Sequence, residues 1–597
     1  MKLNIITLGL SLLIFSSCKK EKAVIDYDNK LSSFFQRTFE ARVERSPEFQ
    51  TSLGYKTNMD KWDNRSEKFR LEELQIQKEQ LQWIKDSIDF ESLNPDSKIS
   101  YRLFVDKAQD QIDNFKFSLY NYPVNQMFGV HSMVPSLLIN MHKIDSIPDA
   151  QAYISRIKAL PDLFSQLIDE LKLREEKGII PPKFVFSRVI DDCQNIISGY
   201  PFVGTDTTTL YEDFVAKITK LELKDSASSA LKEQLTTALT MNAKPAYDSL
   251  ISFLSDQMSR ANDEAGVWKF PEGAAFYQTA LNQTTTTTLT AEQIHEIGLK
   301  EVDRIHGEMK EIMLKVGFEG DLQSFFSYLK EDDQFYYPNT DEAKTLYMDS
   351  ATTIINNMKA QLDKLFITKP KADMIVKRVE AFREKSAGKA FYQRPSKDGS
   401  RPGIYYANLH DSRNMPKFEM EALAYHEGIP GHHMQLSIAQ ELEGIPEFRK
   451  YARYTAFSEG WGLYCEFIPK EMGMYSNPYS DYGRLAMELW RACRLVVDTG
   501  IHSKKWTREE GIEYYKNNTS GTERECTRMV ERHIVMPSQA TAYKIGMMKI
   551  LELREMAKEK LGEKFDLREY HDVVITNGMI PLDLLEELVN DWIVSKS

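Results

Sequence analysis

Three histidines fall within eight residues of this chain, in the run Tyr425-His426-Glu427-Gly428-Ile429-Pro430-Gly431-His432-His433. The whole chain has 11 histidines in 597 residues, so chance places roughly 0.15 in such a window. A carboxylate, Glu427, stands beside the first. Imidazoles hold a divalent ion through their ring nitrogens, and an adjacent carboxylate takes a proton from water on that ion. These are the ingredients of a zinc hydrolase site. The spacing departs from the usual pair one helical turn apart. His432 follows His426 by six positions, about 240° around an ideal helix and about 9 Å along it, so a straight helix could not bring both to one ion. Pro430 offers a way out. It has no N–H to bond the carbonyl of His426, it drives Ile429 from the α region, and Gly431 accepts almost any backbone angle. A kink or loop at 428–431 is therefore expected, returning His432 to the face of His426. His433 is the alternative ligand: it restores the face but adds about 10.5 Å of rise.

A catalytic zinc needs a third protein ligand and one open position for water. The best candidate lies in Ser458-Glu459-Gly460-Trp461. Glu459 comes 27 positions after His432 (459 − 432), enough for a second helix to turn back on the first. Ser458 is the expected cap of that helix. Read alone, Glu459 would be a helix-start carboxylate favoured by the dipole. Glu466, two turns on, shares its face and is placed to orient a ligand histidine from behind.

These residues need a scaffold, and the rest of the chain reads as a helical one. Hydrophobic residues make up 42% and charged residues 27%, as in an ordinary globular protein. Helical spacing runs through 97–117 and 153–173, and strand-like alternation is scarce, so the expected fold is mainly α. Thr284–Thr288 make a poor helix interior, and Thr290-Ala291-Glu292-Gln293 has the form of a capping box opening a new helix. The expected division is a helical lobe over 23–285 and a metal-site lobe over 286–597, packed as one body or two. The best strand candidate, Pro402 to Leu409, lies just upstream of the histidines and gives a small β element next to the metal-site helix. Pairing of this strand with an extended peptide would make Tyr405 and Asn408 substrate-binding residues. Arg524, Arg528 and Arg532 recur at every fourth position. Either they bind a substrate carboxylate or they pair with Glu525, Glu531 and other acids on a solvated face.

The net charge is −12, from 76 basic and 88 acidic residues, and there is no long basic stretch. Nucleic acid is thereby excluded as a general partner. Met1-Lys2, the apolar run from Ile5 to Phe15, and Ser16-Ser17-Cys18 read as a bacterial export signal over 1–18 with lipidation at Cys18. The apolar run is too short to span a bilayer core, which takes about 20 residues. The expected location is the cell envelope, periplasmic or surface-exposed, with membrane contact only through the lipid. The other cysteines, Cys193, Cys465, Cys493 and Cys526, show no metal-binding pairing and read as small buried hydrophobes.

The element His426-Glu427…Gly431-His432 with Ser458-Glu459-Gly460-Trp461 is similar to the gluzincin arrangement of zinc peptidases. More closely, His-Glu-x-x-Pro-Gly-His-His resembles a bacterial family catalogued as domain of unknown function 885, whose members are often lipoproteins and regarded as zinc metallopeptidases. The resemblance covers most of the chain. It includes Gly266-Val267-Trp268, Ile294-His295, Asp498-Thr499-Gly500-Ile501-His502, Tyr543-Lys544-Ile545-Gly546 and His571-Asp572. The family usually has Pro-Gly-Gln where Ser538 stands here. The resemblance implies a large helical zinc-peptidase-like fold, one Zn2+ held by His426, His432 and Glu459, and Glu427 as general base on a peptide substrate. A neutral donor beside the developing oxyanion would help by a few kcal/mol. Tyr543, a phenol that stays protonated near pH 7, is the first choice and His502 the second, as in helical gluzincins. A zinc amidase on a non-peptide or cell-wall amide, and a peptide-binding lipoprotein without catalysis, are the alternatives.

Overall fold

The computed structural model describes residues 25–379, 384, 388–395 and 401–596. The expected lipidation site at Cys18 lies outside them. The fold is mainly α, with one three-stranded sheet among the described residues. Seven helices position the site: α1 (Ala291–Lys315), α2 (Met420–Glu427), α3 (His432–Glu441), α4 (Thr455–Glu471), α5 (Pro478–His502), α6 (Glu523–Val535) and α7 (Ala542–Leu561). The strands are β1 (Met374–Arg378), β2 (Ala390–Gln393) and β3 (Gly403–Ala407).

Local chemistry explains several boundaries. Thr290 and Gln293 form the full capping box that opens α1. The side chain of Asn477 accepts the Ser480 N–H, and Pro478 takes the first position of α5, where no N–H is needed. The apolar repeat over 153–173 is not one helix. Ile147–Lys158 and Leu160–Glu176 meet at Ala159, with Pro161 in the first turn of the second, where its missing N–H breaks no bond. The 97–117 repeat forms Pro95–Asp113 and then a 3-10 turn.

Helix α5 is buried along almost its whole length, as befits a central helix, and α1 packs along it. One core cluster takes Leu163, Tyr247, Ile294, Leu489 and Val530, so residues on both sides of 285/286 share a single interior. A second, with Tyr405, Tyr425, Met434, Trp461 and Ile550, surrounds the sheet and helices α2, α3, α4 and α7. Helices α4 and α7 cross with Gly460 against Gly546. A Cβ on Gly460 would lie 2.5 Å from the Gly546 backbone, and one on Gly546 would lie 1.9 Å from the Ala456 carbonyl oxygen. This backbone-to-backbone approach sets α7 directly beside Glu459.

In the sheet, β3 is central. It runs parallel to β1, with Tyr405 opposite Val376, and antiparallel to β2, with Tyr405 opposite Tyr392. All five of its residues are buried. Both hydrogen-bonding edges of β3 are thus taken, and edge addition of a substrate peptide to this strand does not hold. Its neighbours lie about 30 and 10 residues upstream, and no local pattern marked them. Tyr405 is fully buried. Asn408 holds a turn: its amide donates to the Glu384 and Gly388 carbonyls, and its side-chain oxygen accepts the His410 N–H.

Candidate metal centre

The helix carrying His426 stops one residue later. Gly428 and Gly431 leave helical geometry, the Ile429–Pro430 bond is cis, and α3 starts at His432. The break is tied down from three directions. Gly431 N–H donates to the Tyr425 carbonyl at 3.0 Å, His433 N–H to the Gly428 carbonyl at 3.2 Å, and the Trp461 indole to the Pro430 carbonyl at 3.0 Å. A Cβ on Gly431 would sit 2.0 Å from the His426 carbonyl oxygen, so the close return requires glycine. Proline and glycine together swing the next helix until the rings of His426 and His432 meet nearly perpendicular, at 86° with centroids 4.7 Å apart.

Helix α4 brings the carboxylate. Glu459 Oε2 lies 3.7 Å from His426 Nε2 and 3.6 Å from His432 Nε2, and one ligand atom from each residue falls within 4.8 Å of the other two. Tetrahedral bonds of about 2.0–2.1 Å place ligand atoms roughly 3.3–3.4 Å apart, close to the two distances from Glu459. Helix α4 begins at Thr455, with Tyr454 at its cap position. Ser458 is inside the first turn and does not cap it.

Behind the cluster, His426 Nδ1 is 2.7 Å from Glu466 Oε1. Donation there fixes the tautomer that leaves the Nε2 lone pair facing Glu459 and His432. His432 Nδ1 is buried and has no partner among the described residues. Burial opposes a charge on His426, but Glu459 and then Glu466 outweigh it and lift the imidazole to about 10. Burial likewise opposes ionisation of Glu459, yet His426 and His432 hold it well below the usual carboxylate range. Both shifts have one cause: these side chains surround a point where positive charge is favoured. Glu427 adjoins the cluster, its charge felt by His426 and Tyr405.

The other expected participants divide. His433, the alternative ligand, is turned away. Its Nδ1 lies 2.8 Å from the Tyr392 hydroxyl, and its Nε2 lies 3.1 Å from the Ala372 carbonyl. It lines a separate cavity of about 290 Å³ with Ile429, Met374 and Val376, and burial lowers it to about 4. Both nitrogens are occupied, so it does not ligate. His502 is also committed elsewhere: Nδ1 accepts the Val267 N–H and Nε2 donates to the His533 carbonyl at 2.9 Å. Burial keeps it neutral, near 4. With its one N–H spent on a carbonyl, it cannot serve as the oxyanion donor. Tyr543 lies one turn before Gly546 on α7, and its hydroxyl accepts from Arg532 at 3.3 Å, the arginine that feels the charge of Glu459.

The arginine series splits as well. Arg524 and Arg528 are exposed, away from the cluster, and do not form its carboxylate-binding site. Their suggested acid partners are engaged elsewhere: Glu525 caps α6 through Thr522, and Glu531 pairs with Arg508. Only Arg532 points inward, and it feels the charge of Glu459. Two residues had not been singled out, Arg491 and Arg494 of α5. Arg494 stacks its guanidinium 4.5 Å from the Tyr543 ring centroid, and Arg491 lies 6.0 Å from it. Their signal in the sequence was faint: two arginines inside the apolar run from Leu489 to Val497.

The chain resembles known proteins over almost its whole length. A family model described as "Bacterial protein of unknown function (DUF885)" matches residues 47–589. A Colwellia psychrerythraea protein, provisionally described as a lipoprotein, has a crystal structure that superposes with a TM-score of 0.90 at 31% identity, covering 96% of this chain and 100% of that one. A Shewanella oneidensis protein of unknown function, also provisionally described as a lipoprotein, superposes with a TM-score of 0.73 at 19% identity over 94% of this chain and 99% of that one. No curated protein matches the chain. No helix among the described residues is long and apolar enough to cross a membrane.

Proposed function

We propose that this chain, which belongs to the DUF885 family of bacterial proteins, is a zinc-dependent metallopeptidase of the cell envelope that hydrolyses peptide bonds. The observation that carries this reading is the convergence of His426 Nε2, His432 Nε2 and Glu459 Oε2 around one point, with Glu427 next to it. A structural zinc site is usually closed by a fourth protein ligand. Here three side chains converge among the described residues.

Zinc held there would polarise a scissile carbonyl and acidify a water. Glu427 takes the proton released at this point and passes it to the leaving amine. The Tyr543 hydroxyl donates to the oxygen on which charge develops. Glu466 keeps His426 in its ligand orientation. Lipidation at Cys18, outside the described residues, would hold the enzyme at the membrane surface. The related lipoproteins support that location.

The experiment is metal analysis of the purified protein with mass-spectrometric profiling of a peptide library, with and without chelator. Glu427→Gln should keep one zinc per chain and lose turnover by about 10²–10⁴-fold. Turnover in Glu427→Gln equal to the parent would remove the base, and full turnover after chelation would remove the metal mechanism.

A further inference from the structure

Six arginines are buried among the described residues: Arg156, Arg174, Arg449, Arg484, Arg494 and Arg554. Five have hydrogen-bond partners. Arg156 bonds Lys61, Pro47 and Thr51, Arg174 bonds Asn121, Arg449 bonds Ser100 and Asn577, Arg484 bonds Asp481 and Glu488, and Arg554 bonds Glu471. Arg494 differs. It is 7% exposed, its Nε and Nη1 are sealed without a partner among the described residues, and the face of Tyr543 lies against it.

Its surroundings add positive charge. Arg491 is one turn away on α5; its Nη1 donates to the Met487 carbonyl at 3.0 Å, and its Nε is sealed without a partner among the described residues. One acid, Glu466, forms a long ion pair with it at 3.8 Å; the Glu466 Oε1 is shared with His426 and the Oε2 is buried without a hydrogen bond among the described residues. Arg532, on α6, bonds Gln539 and the Tyr543 hydroxyl and leaves its Nε unpartnered. A guanidinium cannot shed its proton to escape such a place. Buried donors without acceptors cost stability, and like charges together cost more. The arrangement becomes favourable once an anion with several acceptor lone pairs sits among the three. Carboxylates fit planar guanidinium donors in this way. The site is also reachable, since the side chains of Arg491 and Glu459 remain 13% and 23% exposed.

Two contacts join this group to the metal centre: Arg532 feels the charge of Glu459, and Arg491 lies 3.8 Å from Glu466, the carboxylate that holds His426. We propose that Arg491, Arg494 and Arg532 form an anion subsite adjoining the His426–His432–Glu459 centre, and that it takes a carboxylate of the peptide substrate. The bond cleaved would then lie a short distance from that carboxylate. This rests on the peptidase reading for its placement of the substrate, but the subsite can be tested without turnover.

The test uses N-acetyl-Ala-Ala as free acid, the same peptide as C-terminal amide, and N-acetyl-Ala-Glu amide, titrated calorimetrically into the full chain after chelation. The free acid should bind at least about tenfold more tightly than its amide, the range expected for hydrogen bonds to a charged group. The ratio should fall toward one in Arg494→Met and, independently, in Arg532→Met. Arg494→Lys should recover only part of it, because an ammonium lacks the fork. Tighter binding of the acid identifies the C-terminal carboxylate as the occupant. Tighter binding of the Glu amide identifies an acidic side chain, and either supports the subsite. Equal binding of all three, or selectivity unchanged in both Met variants, overturns it. Carboxylate-selective binding by a protein that cleaves nothing when zinc-loaded would leave the subsite standing and remove the peptidase reading. Cleavage indifferent to the carboxylate would do the reverse.

Discussion

Along α5, two groups of buried charges follow one another within three turns. In the first, Glu488 is met by Lys544 at 2.6 Å, by Arg484 at 3.1 Å and by Arg304, while Lys544 also reaches Glu301 at 2.7 Å. In the second, Arg491 and Arg494 face Tyr543 and Arg532 with nitrogens left unpaired. Both groups lie along one helix, and both contain buried arginine. The first is closed: every charge is answered from within the fold, and it joins α1, α5 and α7 into one body. The second is open: its three guanidinium groups have one acid within ion-pair distance, Glu466 at 3.8 Å from Arg491, and otherwise meet a ring face and carbonyl, amide or hydroxyl oxygens. A closed group stabilises the fold, whereas an open one stays destabilising until something else arrives. The histidines divide by the same criterion. His433 and His502 have both nitrogens occupied and stay neutral. His426 and His432 turn nitrogens toward a shared point beside Glu459.

The largest expected effect lies on the closed side. Although burial works against it, Lys544, Arg304 and Arg484 hold the Glu488 carboxyl down to about 2. Glu488→Gln leaves those three cations without their shared anion, which for a broken buried pair costs about 3–5 kcal/mol. The pH sign follows from linkage. A carboxyl depressed from 4.5 to about 2 contributes fully above pH 4.5 and loses that contribution as the pH falls toward 2. Denaturation midpoints should therefore separate parent and variant widely at pH 7, and the gap should narrow below pH 4.5. A variant as stable as the parent would mean that the group is not closed in the sense described.

A smaller effect is expected where the two kinds of site touch. Glu466 orients His426 through Nδ1 and is the nearest acid to Arg491. Removing such an outer partner typically costs 10–100-fold in metal affinity. Competition against a chelator of known strength should show Glu466→Gln weaker in zinc by that factor, with stoichiometry unchanged at saturation. Unaltered affinity would mean that the tautomer of His426 is set by something else.

How much of this was legible in the sequence follows the range of the interactions. The break at 428–431 was readable because proline and glycine act within their own residues, and the spacings from His426 to His432 and from Glu459 to Glu466 carry the ligand face. The capping box at Thr290 is equally local. The choice between His432 and His433 depended on where the chain re-enters a helix after the break, and Tyr392 and Ala372, from the sheet region, claimed the second ring. The central place of β3 depended on partners that show no strand pattern of their own. The arginine group is the least legible. Arg491 and Arg494 acquire meaning only when α6 brings Arg532 and α7 brings Tyr543 to the same spot, while Arg524 and Arg528, whose spacing stood out, mark the outer face of a helix.

The smallest expected effect is the most discriminating. Arg494→Met removes a buried cation from the open group while keeping much of its volume. It loses the stacking on Tyr543, worth about 0.5–2 kcal/mol, and relieves two buried donors that cost about 1–3 kcal/mol each when unpaired. It also relieves repulsion from Arg491 and Arg532. The relief is at least as large as the loss, so the variant should lose no stability, in contrast to Glu488→Gln on the same helix. Added carboxylate peptide, free acid form, should raise the denaturation midpoint of the parent and not that of the variant, since a ligand stabilises only the fold that binds it. Collapse of Arg494→Met to the level of Glu488→Gln would show that the guanidinium is held by the fold itself. Arg494 would then belong with the closed group, and the distinction drawn along α5 would fail at its central residue.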